Sequence, residues 1–220
     1  MSKQLSRIGI EKRIRRALEC LQQGDPEDAI FHIAPALDAT AKKRYPDRKI
    51  GKRIKEFIFN EQPLIYYLSM QGTELIPDGI RIVIVDNDNV ENPIGGHGGE
   101  LADFIYHNIR CAQAHGEEID YELIDFGRNF GIGRSSFDND GGDLEPGRFI
   151  VSSATILALI LSVICAPENK RLKLPGDISL YNRLTLSRSE LPGNKSYLMA
   201  ELGKLFTKTT NHPPRSIQHT

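Results

Sequence analysis

The chain has few cysteines, no long apolar run and almost no net charge, and each shortage narrows what it can be. Its three cysteines, Cys20, Cys111 and Cys165, are odd in number, far apart and free of any Cys-x-x-Cys pair. That spacing argues against a disulfide scaffold or a zinc ribbon and predicts a reducing, cytoplasmic home. The longest apolar run, Ala154 to Ala166, has 13 residues and includes Thr155 and Ser162. A bilayer-spanning helix needs about 20 residues, so a buried core helix is expected there and no membrane partner. Met1-Ser2-Lys3-Gln4 has no apolar stretch behind its charge, so no secretory leader is expected. The net charge of −1 offers no global basicity to announce nucleic acid.

What is present is the composition of a globular chain. Hydrophobic residues make up 40% of the 220 positions and charged residues 26%, enough to bury a real core. The length suits one large domain, or a domain with a small appendage. The near-zero charge hides segregation. Residues 1–55 carry 14 Lys and Arg against 7 Asp and Glu, residues 56–150 carry 5 against 18, and residues 151–220 carry 9 against 4. Such a split fits one basic face, or a dimer whose unlike patches meet.

Hydrophobic spacing predicts a mainly helical protein. Ile10, Ile14, Ala17, Leu18 and Leu21 mark a helix over 10–22, ended by Gly24. Asp25-Pro26-Glu27 supplies a cap, a first-turn proline and an acidic start for a second helix to about Tyr45, which Pro35 should kink or break. A third helix is expected over Lys49–Phe59, separated by Pro63 from a shorter piece, Leu64–Met70. The β-branched run 80–86 and the segment 119–126 read as strands. Between them, Leu101, Phe104, Ile105, Ile109 and Ala112 share one face of a helix over Glu100–Ala114, with Gly116 as its C-terminal cap. Residues 127–147 hold six glycines and read as a turn-rich loop. A short strand near Phe149-Ile150-Val151 leads into the apolar helix, which Pro167 stops. Beyond about Pro175 the pattern is weak, with one helix at Lys195–Phe206 and a disordered end from His212. The expected fold is a four- to five-helix bundle with a small antiparallel β insertion. Residues 1–170 form the helical domain, with the insertion near 80–127, and 171–220 form a partly helical C-terminal extension.

The stretch most suggestive of chemistry is Tyr106-His107-Asn108-Ile109-Arg110-Cys111-Ala112-Gln113-Ala114-His115-Gly116. Arg110 and His115 are five apart, so on an ideal helix they point about 140° from each other. They converge if His115 sits in a frayed last turn, or if two copies of the helix face each other across a dimer axis. Histidine titrates near neutrality and can move a proton. A guanidinium can fork onto a phosphate and stabilise added charge on its oxygens.

This segment resembles the HEPN superfamily, whose ribonuclease members carry Arg-x(4–6)-His at the end of a core helix. The resemblance extends over residues 10–170: an early helix containing AIFHIAPALDATAKKRYP precedes the motif, and a strongly apolar helix ending in Pro167-Glu168-Asn169 follows it. It implies a metal-independent endoribonuclease without cofactor, working as a homodimer. The RNA's own 2′-hydroxyl would attack, with His115 as general acid/base, Arg110 as phosphate clamp and Asn108 as the nearby amide. His107 and the basic residues Lys42, Lys43, Lys52 and Arg53 would contact RNA. By the same analogy the role is that of a toxin or defence nuclease, with a cognate antitoxin or inhibitor protein as partner. Two positions depart from the family pattern. Cys111 follows the arginine where many relatives have a polar residue, and Glu117 stands where some toxins have a modifiable tyrosine.

Other readings compete. Arg110 could pair with Asp103 or Glu100 on a solvated face, and His115 could be a C-terminal helix residue favoured by the macrodipole. A non-catalytic HEPN-like protein would use the same helical face to dimerise or to hold a partner. Asp103, His107, Cys111 and His115 recur every four residues, and His97 lies nearby, but consecutive i, i+4 ligands on one straight helix cannot surround one ion. The loops Gly95-Gly96-His97-Gly98-Gly99 and Gly131-Ile132-Gly133 lack the lysine of a phosphate-binding loop. Eight cations fall within residues 42–55. Such a run is commonly a solvated helix face, and beside a ribonuclease site it would track an RNA backbone.

Overall fold

The computed structural model describes residues 2–69, 102, 105–106, 124–125, 132–134, 149–180 and 183–207. In chain order the elements are α1 (Ser2–Gln23), α2 (Pro26–Arg44), α3 (Ile50–Ser69), β1 (Ile124–Asp125), β2 (Ile132–Arg134) and β3 (Phe149–Val151). Then come α4 (Ser153–Cys165), a 3-10 turn (Pro167–Asn169), β4 (Asp177–Leu180), β5 (Leu184–Ser187) and α5 (Lys195–Thr207). The protein is mainly helical with a small β component, as the periodicity predicts.

The helix starts follow their local chemistry. Asp25 accepts a hydrogen bond from the Asp28 N–H at 3.0 Å, with Pro26 at the first position of α2. Gly24 turns the chain between α1 and α2 at φ +78°, a conformation L side chains avoid. Ser152 caps α4 by accepting from the Thr155 N–H at 3.2 Å.

α4 is the centre of the bundle. Eleven of its 13 residues are buried, because it packs on α1, α2, α3 and α5. A helix apolar on all sides is stable in water only when neighbours cover it all round. Ile10, Ile14, Ile33, Leu37, Phe57, Ile65, Leu159 and Ile160 belong to one continuous core, and so do Leu180, Leu191, Leu198 and Leu202 of the C-terminal residues.

Pro63 does not divide α3. One helix runs from Ile50 to Ser69, and α2 likewise continues through Pro35. A mid-helix proline costs about 3 kcal/mol. Here the buried stripe Phe57, Ile58, Leu64, Ile65 and Leu68 packs on α4 across the proline, and burial of each such side chain contributes about 1.5–3 kcal/mol. The packing outweighs the propensity.

The strands are placed by pairing. β1 falls inside the expected strand 119–126 and pairs in parallel with β3, Ile124 opposite Phe149. The expected strand 80–86 lies outside the described residues. β2 comes from the glycine-rich segment read as a loop and pairs antiparallel with β3, Gly133 opposite Ile150. The hairpin β4–β5, with Ile178 opposite Leu186, arises where the sequence pattern is weak. Its inward positions Ile178, Leu180 and Leu186 are buried. α5 matches the expected helix at Lys195, and the tail from His212 lies outside the described residues.

Candidate functional site

The motif residues Arg110 and His115, with Asn108 and His107, lie outside the described residues. The structure does place the chain just before them. Ala102 and Ile105 are buried in the core; Ile105 belongs to the face that the helical spacing assigned to the interior, and Ala102 does not. Tyr106 lies against the first turn of α3. A Cβ added to Gly51 would meet Tyr106 Cζ at 2.8 Å, so the ring seats where glycine leaves room. Lys55 Nζ lies 5.5 Å from the centroid of the same ring, a cation held on an aromatic face.

The basic run is divided by what its members touch. Arg44 points inward. Its Nε and Nη2 donate to Glu168 Oε1 and Oε2, each at 3.0 Å, and its Nη1 donates to Glu61 Oε1 at 2.8 Å. Its guanidinium carbon also stands 4.5 Å from the centroid of the Phe57 ring. Burial opposes the charge, but the bonds to Glu168 and Glu61 outweigh it and raise the Arg44 pKa. Arg53 donates twice to Asp38 Oδ1, at 2.9 and 2.7 Å, tying α3 to α2. Arg48 pairs with Glu56 at 3.5 Å. Lys43 Nζ donates to Asn169 Oδ1 at 2.9 Å, and burial pulls its pKa down against the pull of Glu168. Lys42, Lys49 and Lys52 are exposed around the turn from α2 to α3. Of the four basic residues expected to contact RNA, Lys42 and Lys52 face solvent, Lys43 is exposed but hydrogen-bonded to Asn169, and Arg53 is bound to Asp38.

A polar network at this end of the bundle was not foreseen. Glu61 is buried on the apolar stripe of α3, and its second oxygen accepts from Lys195 Nζ at 2.8 Å. Asn169 is buried and donates to Thr40 Oγ1 at 2.8 Å and to the Val163 carbonyl at 2.7 Å. Together these bonds join α2, α3, α4, the 3-10 turn and α5. The sequence signal for Glu61 was available: a carboxylate at i+4 from Phe57 and i−4 from Ile65, on a stripe otherwise apolar. Nothing in the sequence pairs it with Arg44 or Lys195.

The two described cysteines are shielded from solvent. Cys20 and Cys165 are free and buried. Burial, and then the charge of Glu61, pushes the Cys165 thiol up to about 12 against the opposing pull of Lys195. Among the described residues no group of three His, Cys, Asp or Glu side chains could hold a metal ion. No described helix is long and apolar enough to cross a membrane.

The profile of the Rv1289 family matches residues 9–196, a span from the first turns of the bundle to the start of α5. The chain belongs to the Rv1289 family. Uncharacterized protein Rv1289 of Mycobacterium tuberculosis (strain ATCC 25618 / H37Rv) is 25% identical over 171 residues, covering 74% of this chain and 73% of the relative. Uncharacterized protein Mb1320 of Mycobacterium bovis shows the same identity and coverage. No solved structure matches the chain significantly. The Rv1289 family match takes in both the polar network and the Arg110–His115 segment.

Proposed function

We propose that this member of the Rv1289 family is a metal-independent endoribonuclease of the HEPN kind, acting as a homodimer in the cytoplasm. His115 serves as general acid/base, Arg110 clamps the scissile phosphate and Asn108 assists. The observation that supports this reading is the seat of Tyr106 on Gly51 beside Lys55. Arg110 follows Tyr106 by four residues, and four residues reach at most about 14 Å even when extended. Sequence separation thus keeps the motif arginine within that reach of Tyr106, and Lys42, Lys49 and Lys52 are exposed around the turn beside Gly51. On this reading, the exposed lysines supply backbone contacts to the RNA whose scissile phosphate Arg110 clamps.

A second reading rests on the other half of the basic run. Arg44, Arg48 and Arg53 are in ion pairs and Lys43 is hydrogen-bonded, so much of this charge holds helices together. That favours a non-catalytic HEPN-like scaffold which dimerises or holds a partner through the same face.

Incubating the full chain with RNA in excess chelator separates the two. The nuclease reading expects cleavage to 2′,3′-cyclic phosphate ends, lost in both Arg110→Ala and His115→Ala with the fold intact by circular dichroism. Cleavage that survives both changes would falsify the site. RNA left intact by the wild type favours the scaffold.

A further inference from the structure

A cleft of about 310 Å³ opens between the last turns of α1, the start of α4 and strand β4. It lies apart from the basic run and from Tyr106. Its walls are Leu18, Leu21, Ala154, Leu157 and Ile178. Leu21 and Leu157 are only partly buried, so they turn apolar surface into a concavity where core packing would have covered it. The remaining lining consists of Gln22, Ser153, Ser179 and Arg188.

Arg188 is the one ionisable residue in that lining. Its Nε donates to the Asp177 carbonyl at 3.0 Å and its Nη1 to the Pro175 carbonyl at 3.3 Å. Both acceptors are neutral, and no ion pair joins Arg188 to a carboxylate among the described residues. Two bonds thus hold the guanidinium in place, and among the described residues no carboxylate neutralises its charge. Ser153 and Ala154 are the first two residues of α4, so their N–H groups have no partner inside the helix and stand at the positive end of its dipole. An apolar cleft whose fixed charge and whose dipole are both positive selects a ligand with an apolar tail and an anionic head.

We propose that this cleft binds a free, medium-chain monocarboxylate, its tail between Leu21, Leu157 and Ile178 and its carboxylate at Arg188. The cleft has the volume of about ten waters at roughly 30 Å³ each, which matches a chain of about eight carbons.

The test uses the full chain and three probes of equal length, octanoate, octanol and octylamine, below their micellar concentrations. Calorimetric titration and the shift in melting temperature are read for wild type, Arg188→Gln, Arg188→Lys and Ser179→Tyr. Octanoate is expected to bind saturably and raise the melting temperature by several degrees. Octanol and octylamine should bind about tenfold more weakly or worse, as expected from loss of a charge-assisted bond. Arg188→Gln should weaken octanoate about tenfold, Arg188→Lys should retain part of that loss, and Ser179→Tyr, at an exposed position of the lining, should weaken both octanoate and octanol. Titrations below each variant's melting temperature separate lost binding from lost folding. Absence of octanoate binding, equal binding of octylamine, or unchanged octanoate affinity in Arg188→Gln overturns the proposal. RNA cleavage plays no part in the readout, so the two proposals fail independently.

Discussion

Arg44 meets Glu168 through two parallel hydrogen bonds, Nε to Oε1 and Nη2 to Oε2, both at 3.0 Å. This fork fastens the end of α2 to the turn after α4. Arg44 also bonds Glu61, which in turn holds Lys195 of α5. Each side chain in the chain of contacts is charged and each charge has an opposite neighbour, which is what allows them to sit so far from water.

Removing both members of the fork should therefore cost less than the two single removals added together. Arg44→Ala leaves Glu61 and Glu168 facing each other without their shared cation, and a loss on the order of 3 kcal/mol is expected. Arg44→Met with Glu168→Met should lose less than the sum of the single changes. Denaturant midpoints for the full double-mutant cycle measure the difference. A strictly additive cycle would show that the fork contributes nothing.

The basic residues should sort by role. Lys42→Ala and Lys52→Ala are expected to leave the melting temperature nearly unchanged while lowering the salt dependence of RNA binding by about one unit of slope each. Arg53→Ala should instead lower stability, and lower it much less in an Asp38→Ala background, because its two bonds go to Asp38. Filter binding across a salt series, beside thermal melts, tests both halves. A slope that drops most for Arg53→Ala would reverse the assignment.

Three glycines should respond to alanine in three ways. Gly193 has φ +70° and a Cβ there would come within 2.6 Å of Lys170 Cβ. Gly193→Ala should cost more than the roughly 1–2 kcal/mol of a left-handed residue alone. Gly24 has φ +78° with open space around it, so Gly24→Ala should cost only that backbone penalty. Gly203 lies inside α5 with nothing within 4 Å of an added Cβ, and Gly203→Ala should stabilise by about 0.5–1 kcal/mol. Chemical denaturation of the three variants gives the order.

Cys20 and Cys165 should resist alkylation at pH 8 until denaturant is added, because burial raises both thiols and only the thiolate reacts. Mass mapping of iodoacetamide-labelled peptides reads this site by site. For Cys165 the linkage also has a sign. The unfolded thiol ionises near 9 and the folded one near about 12, so the folded form is disfavoured as pH rises between those values. Cys165→Ala should flatten the alkaline fall in stability over that window; an unchanged slope would remove Cys165 as its source.

The helices were legible because their periodicity is a local property. Ile10, Ile14, Ala17 and Leu18 repeat at helical spacing, and all are buried. The apolar run at Ala154 was recognisable as a core helix because too few polar groups interrupt it for a surface and too few residues compose it for a bilayer. Pro63 misled, since a local breaker was judged without the stripe that packs across it. The hairpin at Ile178 and the strand at Gly133 were invisible for the same reason: a strand is stabilised by its partner, and the partner is distant in sequence.

The amino-acid order alone determined the helical character, the capping at Asp25 and the clustering of cations between residues 42 and 55. Tertiary structure decided which of those cations are spent. Arg44 and Arg53 turn inward while Lys42 and Lys52 face water, because carboxylates from α2, α3 and the turn after α4 approach only some of them. Charge is written in the sequence; its compensation depends on distance, and distances between remote segments exist only after folding.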